Sequence, residues 1–117
     1  MKDPHTESQK RLQHILEAIQ TIEGYVRETD ASQFIRNTML HDAVLFQFTV
    51  IGEAIMHIEN DILNRYSYPW YKLRSFRNLI AHEYFNIKLI AVWVIIESDL
   101  PLLKKTIIKI LEIEFET

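Results

Sequence analysis

Cysteine is absent from the chain, so neither a disulfide framework nor a thiolate zinc site can be built, and a reducing cytosol is the expected setting. Glycine occurs twice and proline three times in 117 residues. So little punctuation leaves few places to turn, which favours a small number of long helices over many short strands. Long apolar runs are missing too: the longest, Leu89 to Ile96, falls far short of the roughly 20 residues that cross a bilayer. The first ten residues, MKDPHTESQK, are polar and lack the apolar core of a signal peptide. One cytoplasmic domain over residues 1–117 is therefore expected, with residues 1–5 as a flexible tail and no membrane attachment. A chain of this length buries roughly two thirds of its unfolded surface around a single core.

The formal charge of −3 gives no general attraction for nucleic acid, but its distribution is uneven. From Ile62 to His82 stand Arg65, Lys72, Arg74 and Arg77 and no acidic residue, which leaves nine basic against sixteen acidic residues on the rest. The same window holds Tyr66, Tyr68, Trp70, Tyr71 and Phe76. Such a window reads in two ways: as a local phosphate-binding surface, with Lys72, Arg74 and Trp70 as candidate substrate contacts, or as a partly solvated helix with core aromatics.

Apolar residues at steps of three and four, Leu12, Ile15, Leu16, Ile19, Ile22 and Val26, predict an amphipathic first helix from about Thr6 or Ser8 to about Glu28. Thr29, Asp30 and Ser32 break it. A short helical turn over 34–37 and a second long helix to about Asn60 follow. Between Ala43 and Ile58 that helix is apolar around most of its circumference, so it needs a cover beyond the core, and a second subunit is the natural one. Residues 61–68 read as a loop. Pro69-Trp70 opens a third helix, with Leu73, Phe76, Ile80 and Leu79 on its buried side. The run Leu89 to Ile96 reads as a short buried helix, and Asp99 and Pro101 restart a last one with Leu103, Ile107, Ile110 and Leu111 on its stripe. The expected fold is all-α: an up-and-down four-helix bundle with an additional short helix, paired as a two-fold homodimer through the second and third helices.

Chemistry concentrates in Arg77-Asn78-Leu79-Ile80-Ala81-His82-Glu83-Tyr84. An imidazole moves protons near neutrality, and a guanidinium forks onto two phosphate oxygens. Arg77 and His82 are five residues apart, which is roughly 140° of rotation on a regular helix, so they do not stack as an i, i+4 pair does. They converge on one small group only if the helix end is distorted or if two copies face each other. The plain alternatives are a helix-terminal His82 that caps carbonyls and a half-buried Tyr84.

The spacing Arg, four residues, His, one residue, Tyr resembles the signature of HEPN-domain ribonucleases, in particular the HepT toxins encoded beside a small nucleotidyltransferase antitoxin. Ile51-Gly52-Glu53-Ala54, Val92-Trp93 and Asp99-Leu100-Pro101 extend the resemblance over about residues 8 to 112. It implies a toxin ribonuclease that cleaves RNA, tRNA or mRNA, by transesterification to a 2′,3′-cyclic phosphate without a metal or other cofactor. It also implies His82 as acid/base, Arg77 as phosphate clamp, Asn78 as orienting group, and a homodimer that brings two motifs together. The implied partner is a nucleotidyltransferase antitoxin that attaches AMP to Tyr84, whose added charge and bulk block the cleft. Glu83, between His82 and Tyr84, departs from the motif and puts an acidic neighbour beside the imidazole. A second reading makes the same dimer a non-catalytic module that docks a nucleotidyltransferase or a nucleotide. Glu53 and His57 share a helix face at i, i+4 but have no third ligand at helical spacing, so no metal site is expected. His14 and His41 read as surface or interface residues, and His5 falls in the tail.

Overall fold

The computed structural model describes residues 3–115, which form helices joined by short turns, with no strand among them. Helix α1 spans Pro4–Val26, α2 Ala31–Arg36, α3 Thr38–Ile55, α4 Asn60–Asn64 and α5 Trp70–His82. A 3₁₀ turn, Tyr84–Asn86, leads to α6, Leu89–Val94, which runs through a π-helical turn, Ile95–Asp99, into α7, Leu100–Glu114. Four long helical rods, α1, α3, α5 and α6–α7, make the bundle, in agreement with the all-α expectation.

Helix α1 sets the length. Its 23 residues rise roughly 35 Å, most of the 43 Å long axis. It starts ahead of the expected Thr6–Ser8 because Asp3 caps it, accepting hydrogen bonds from the His5 amide and the Thr6 hydroxyl, and Pro4 sits in the first turn, where its missing N–H costs nothing. Positions 3–5 of the expected tail thus belong to the capped helix; positions 1 and 2 lie outside the described residues. Leu12, Ile15, Ile19 and Ile22 are fully buried. They meet Val44, Leu45, Phe48, Ile51 and Ile55 of α3 and Leu103, Ile107 and Ile110 of α7 in one core.

Helix α3 ends at Ile55, short of the expected Asn60, and two further stretches differ from their sequence reading in more than their ends. Residues 60–64 form a short helix where a loop is expected. Its start is tied to α1 by the fully buried Ser8, whose hydroxyl accepts from the Glu59 amide at 3.0 Å and donates to the Glu59 carboxylate at 3.2 Å. The second difference is that Asp99 and Pro101 do not start a separate helix. Pro101 cannot donate to the carbonyl four residues back, and the turn before it widens into the π-turn rather than breaking, so one rod continues from Leu89 to Glu114.

Helix α3 leaves a face uncovered within the chain. Met39, Phe46 and Met56 are exposed on it, and Asp42 and Glu53 lie along the same side. Among the described residues, no helix is long and apolar enough to cross a membrane.

Candidate active site

Helix α5 carries the motif, and its start is fixed by Trp70. The indole N–H donates to the Leu63 carbonyl at 3.0 Å and the Tyr66 carbonyl at 3.3 Å, tying the end of α4 to the beginning of α5. Trp70 is 7% exposed, so its ring is not available to stack on a base; as a substrate contact it is corrected to a core anchor. Tyr66 and Tyr68 also pack the connecting segment. The Tyr66 hydroxyl donates to Glu114 at 2.8 Å, and burial reinforced by that carboxylate raises its pKa to about 12.

Arg77 is held from α3. A Cβ built on Gly52 would lie 2.4 Å from the Arg77 Cβ and 2.7 Å from the Leu73 carbonyl oxygen, so α5 approaches α3 at a distance only glycine permits. The next residue, Glu53, reaches an Arg77 terminal nitrogen at 3.3 Å, while the other terminal nitrogen donates to the Asn78 side-chain oxygen at 3.2 Å. The Arg77 Nε is buried and has no hydrogen-bond partner among the described residues. Arg77 is thus clasped on two sides, and it is the second N–H of each terminal nitrogen, not the buried Nε, that is left for an oxyanion. Glu53 lies 3.5 Å from the His57 Nε2, its i+4 neighbour, and is also the counter-ion of Arg77.

His82 sits differently. Helix α5 stays α-helical through His82, so the helix end is not distorted to bring it to Arg77. It lies one turn beyond Asn78, and both are exposed on the outward stripe that also carries Tyr71 and Ser75. The imidazole makes no hydrogen bond or ion pair with any described residue, and the carbonyl-capping alternative is not what the structure shows. One chain therefore joins Arg77 to Asn78 and aligns Asn78 with His82, but turns Arg77 and His82 to different sides of the helix.

Past His82 the backbone breaks at Glu83, whose amide closes the helix on the Leu79 carbonyl at 2.8 Å. The 3₁₀ turn then brings the Tyr84 hydroxyl to Asp42 of α3, to which it donates a hydrogen bond. Asp42 also lies 3.7 Å from His41, whose other ring nitrogen meets the Phe34 carbonyl at 3.2 Å. Neighbouring Phe85 is 98% exposed. Glu53 and Asp42, both on the uncovered side of α3, flank the motif; sequence spacing offers no signal for either pairing, because each joins helices 24 or more residues apart.

The basic window is divided. Arg65 pairs with Glu114, and Arg77 with Glu53. Arg74 lies one turn before Asn78, on the outward side of α5, whereas Lys72 is turned toward α7 and away from the motif. Of the expected substrate contacts, Arg74 alone shares the motif's side.

The ribonuclease HepT-like family matches residues 15–110. Among related proteins, "Gamma-glutamylcyclotransferase and putative RNase MJ0434" of Methanocaldococcus jannaschii is 34% identical over 102 residues, 86% of this chain but 46% of that protein, so the chain spans less than half of this relative. "Putative RNase MJ1380" of the same organism is 34% identical over 97 residues, covering 82% of this chain and 89% of the relative. "Probable ribonuclease HepT" of Thermococcus cleftensis is 32% identical over 94 residues, 80% of this chain and 86% of the relative. No solved structure matches the chain. By the family match over most of its length and the identity to these relatives, the chain belongs to the HepT-like ribonuclease family.

Proposed function

We propose that this protein is a ribonuclease that cleaves RNA by internal transesterification at a site formed by Arg77, Asn78 and His82, the toxin of a pair whose antitoxin is a nucleotidyltransferase. The observation that carries the reading is the family match over 15–110 together with an Arg77 that is clasped from α3 yet keeps a second N–H on each terminal nitrogen.

In the reaction the 2′-oxygen attacks the adjacent phosphorus, the bond to the 5′-oxygen breaks, and the products end in a 2′,3′-cyclic phosphate and a 5′-hydroxyl. One imidazole accepts the 2′-OH proton and another protonates the departing 5′-oxygen. Arg77 takes the charge that develops on the equatorial oxygens, and Asn78 keeps guanidinium and phosphate in register. Within one chain Arg77 and His82 diverge, so we place the complete site between two copies of α5 related by a two-fold axis. The exposed Met39, Phe46 and Met56 of α3 supply apolar surface for that contact. Proton transfer contributes roughly 10²–10⁴-fold, and positioning and charge stabilisation supply the rest. Tyr84, its hydroxyl already directed at Asp42, is the acceptor for AMP from the antitoxin.

The test is incubation of the purified protein with total tRNA and mRNA in EDTA, beside Arg77→Ala and His82→Ala variants matched for helicity and oligomeric state. Cleavage by the native protein alone, with cyclic phosphate ends and a loss in either variant of about 10²-fold or more, is expected. Equal cleavage by all three, or none by any, removes the motif as catalyst and leaves a module that docks the nucleotidyltransferase or a nucleotide.

A further inference from the structure

A bundle of four rods closes when each meets both neighbours. Here α1 packs on α3, α3 on α5 and α1 on α7, but α5 and α7 make no comparably close pairing. Between them is a cavity of about 420 Å³, inside the roughly 300–1,000 Å³ range of small-molecule sites. Phe48 of α3 forms its floor, Leu73 and Phe76 of α5 one wall, and Leu100 and Leu103 of α7 the other. The π-turn contributes Ile95 and Asp99 to the rim. Such widened turns recur at functional sites because they displace side chains from the regular helical register.

The mouth is cationic. Lys72 and Lys105 face the cavity, and neither forms an ion pair or hydrogen bond with any described residue, in contrast to neighbouring Lys104, which pairs with Glu23 at 2.9 Å. Against the two ammonium groups stands one carboxylate, Asp99. The Tyr68 hydroxyl at the same mouth also has no hydrogen-bond partner among the described residues, and burial, with Asp99 nearby, raises its pKa to about 12, so it stays protonated and can donate.

We propose that this cavity binds a single-chain amphiphile with an anionic head, its hydrocarbon lying between α5 and α7 and its carboxylate or phosphate held between Lys72 and Lys105. The walls, leucines with Phe48 and Phe76, offer a hydrocarbon chain apolar contact along its length, whereas the edges of a nucleobase need several hydrogen-bonding groups inside the site. The Thr106 hydroxyl is already committed to the Leu102 carbonyl at 2.9 Å. Phe76 and Lys72 are turned from Arg77 by roughly 100° and 140° around α5, so the site is separate from the motif and stands whether or not the protein cleaves RNA.

The experiment is titration calorimetry of the full chain with decanoate, decyl phosphate and decyltrimethylammonium, each below its micellar concentration. Saturable binding of one anion per chain is expected, with the cation at least about tenfold weaker; the tighter of the two anions identifies the head group. A Lys72→Ala/Lys105→Ala variant is expected to weaken the anion about tenfold, and Leu102→Trp, at the exposed rim, to block it while leaving helicity and melting unchanged. Absence of saturable anion binding, equal binding of the cation, or undiminished binding in both variants overturns the proposal.

Discussion

Helix α5 is held hard on one side and loosely on the other. Toward α3 it comes so close that no β-carbon fits at Gly52. Toward α7 it leaves a cavity of about 420 Å³. The tight side is the one that holds Arg77, and the difference is mechanical: under the proposed function its guanidinium meets a phosphate and needs a fixed stem, and close helix packing fixes a stem more firmly than a hydrogen bond on a mobile surface does. The open side carries no motif residue, so slack there costs the motif nothing.

Gly52→Ala is the strongest way to break the comparison. In a solvent-facing helix the change would stabilise by up to about 1 kcal/mol. Here the added methyl meets the Arg77 Cβ and the Leu73 carbonyl oxygen, and a backbone oxygen at 2.7 Å can move only with its helix. Overpacking of this kind costs roughly 1–3 kcal/mol, which outweighs the propensity gain. A lower denaturation midpoint and a loss of RNA cleavage of at least about tenfold are expected. A stabilised, fully active Gly52→Ala variant would show that α3 and α5 are not packed this tightly.

Glu53→Gln separates the steric part of the clasp from its charge. The pair it removes is partly exposed, so stability should change by no more than about 1 kcal/mol. Without the neighbouring carboxylate, Arg77 is a free cation for phosphate. RNA binding should tighten, and the slope of log affinity against log salt should steepen by somewhat under one unit, the value for about one more phosphate contact. An unchanged salt slope would mean that Glu53 does not compete for the guanidinium.

Alkali should act at Tyr68, on the loose side, and at Tyr66 in the same connecting segment. Tyr66 and Tyr68, in the segment between α4 and α5, both have pKa values raised from 10.0 to about 12, chiefly by burial. A raised folded-state pKa means that the folded chain keeps its phenolic protons while the unfolded chain loses them. Their contribution is therefore fully present below pH 10 and declines as pH rises from 10 toward 12. Denaturation midpoints measured at pH 9, 10.5 and 11.5 should fall, and Tyr66→Phe and Tyr68→Phe should each flatten the fall. A decline of the same depth in both variants would place the alkaline sensitivity elsewhere.

Much of this arrangement is legible in the sequence because periodicity and spacing are local. The stripe from Leu12 to Ile22, the opening of α5 at Pro69-Trp70 and the roughly 140° between Arg77 and His82 all follow from residues within a few turns of each other. What periodicity misses is tertiary or too short for a pattern. Helix α4 has five residues, fewer than two turns, and its tie to Ser8 spans 51 positions. Trp70 reads by composition either as a substrate contact or as a core aromatic, and only the Leu63 and Tyr66 carbonyls that draw its indole N–H inward decide for the core. Glu53 reads as one half of a pair with His57, and only the approach of α5 at Gly52 brings Arg77 within 3.3 Å of it. Pro101 reads as a helix start, whereas a π-turn lets one rod continue past it.

The smallest expected effect lies on another element, at the end of α1, and serves as a control for α5. Glu28, just past the end of α1, has φ 61°, the one non-glycine residue with positive φ among those described. It occupies the place after a helix where glycine is favoured, and a side chain there costs roughly 1 kcal/mol. No hydrogen bond or ion pair from its side chain to a described residue offsets that cost. Glu28→Gly relieves the strain but gives the unfolded chain more freedom, so the net gain is about 0.5–1 kcal/mol at most. A small upward shift in melting temperature with unchanged RNA cleavage is expected. If cleavage instead rose with the stability of Glu28→Gly as it falls with that of Gly52→Ala, activity would be following global stability, and the tight contact between α3 and α5 would lose its special claim on Arg77.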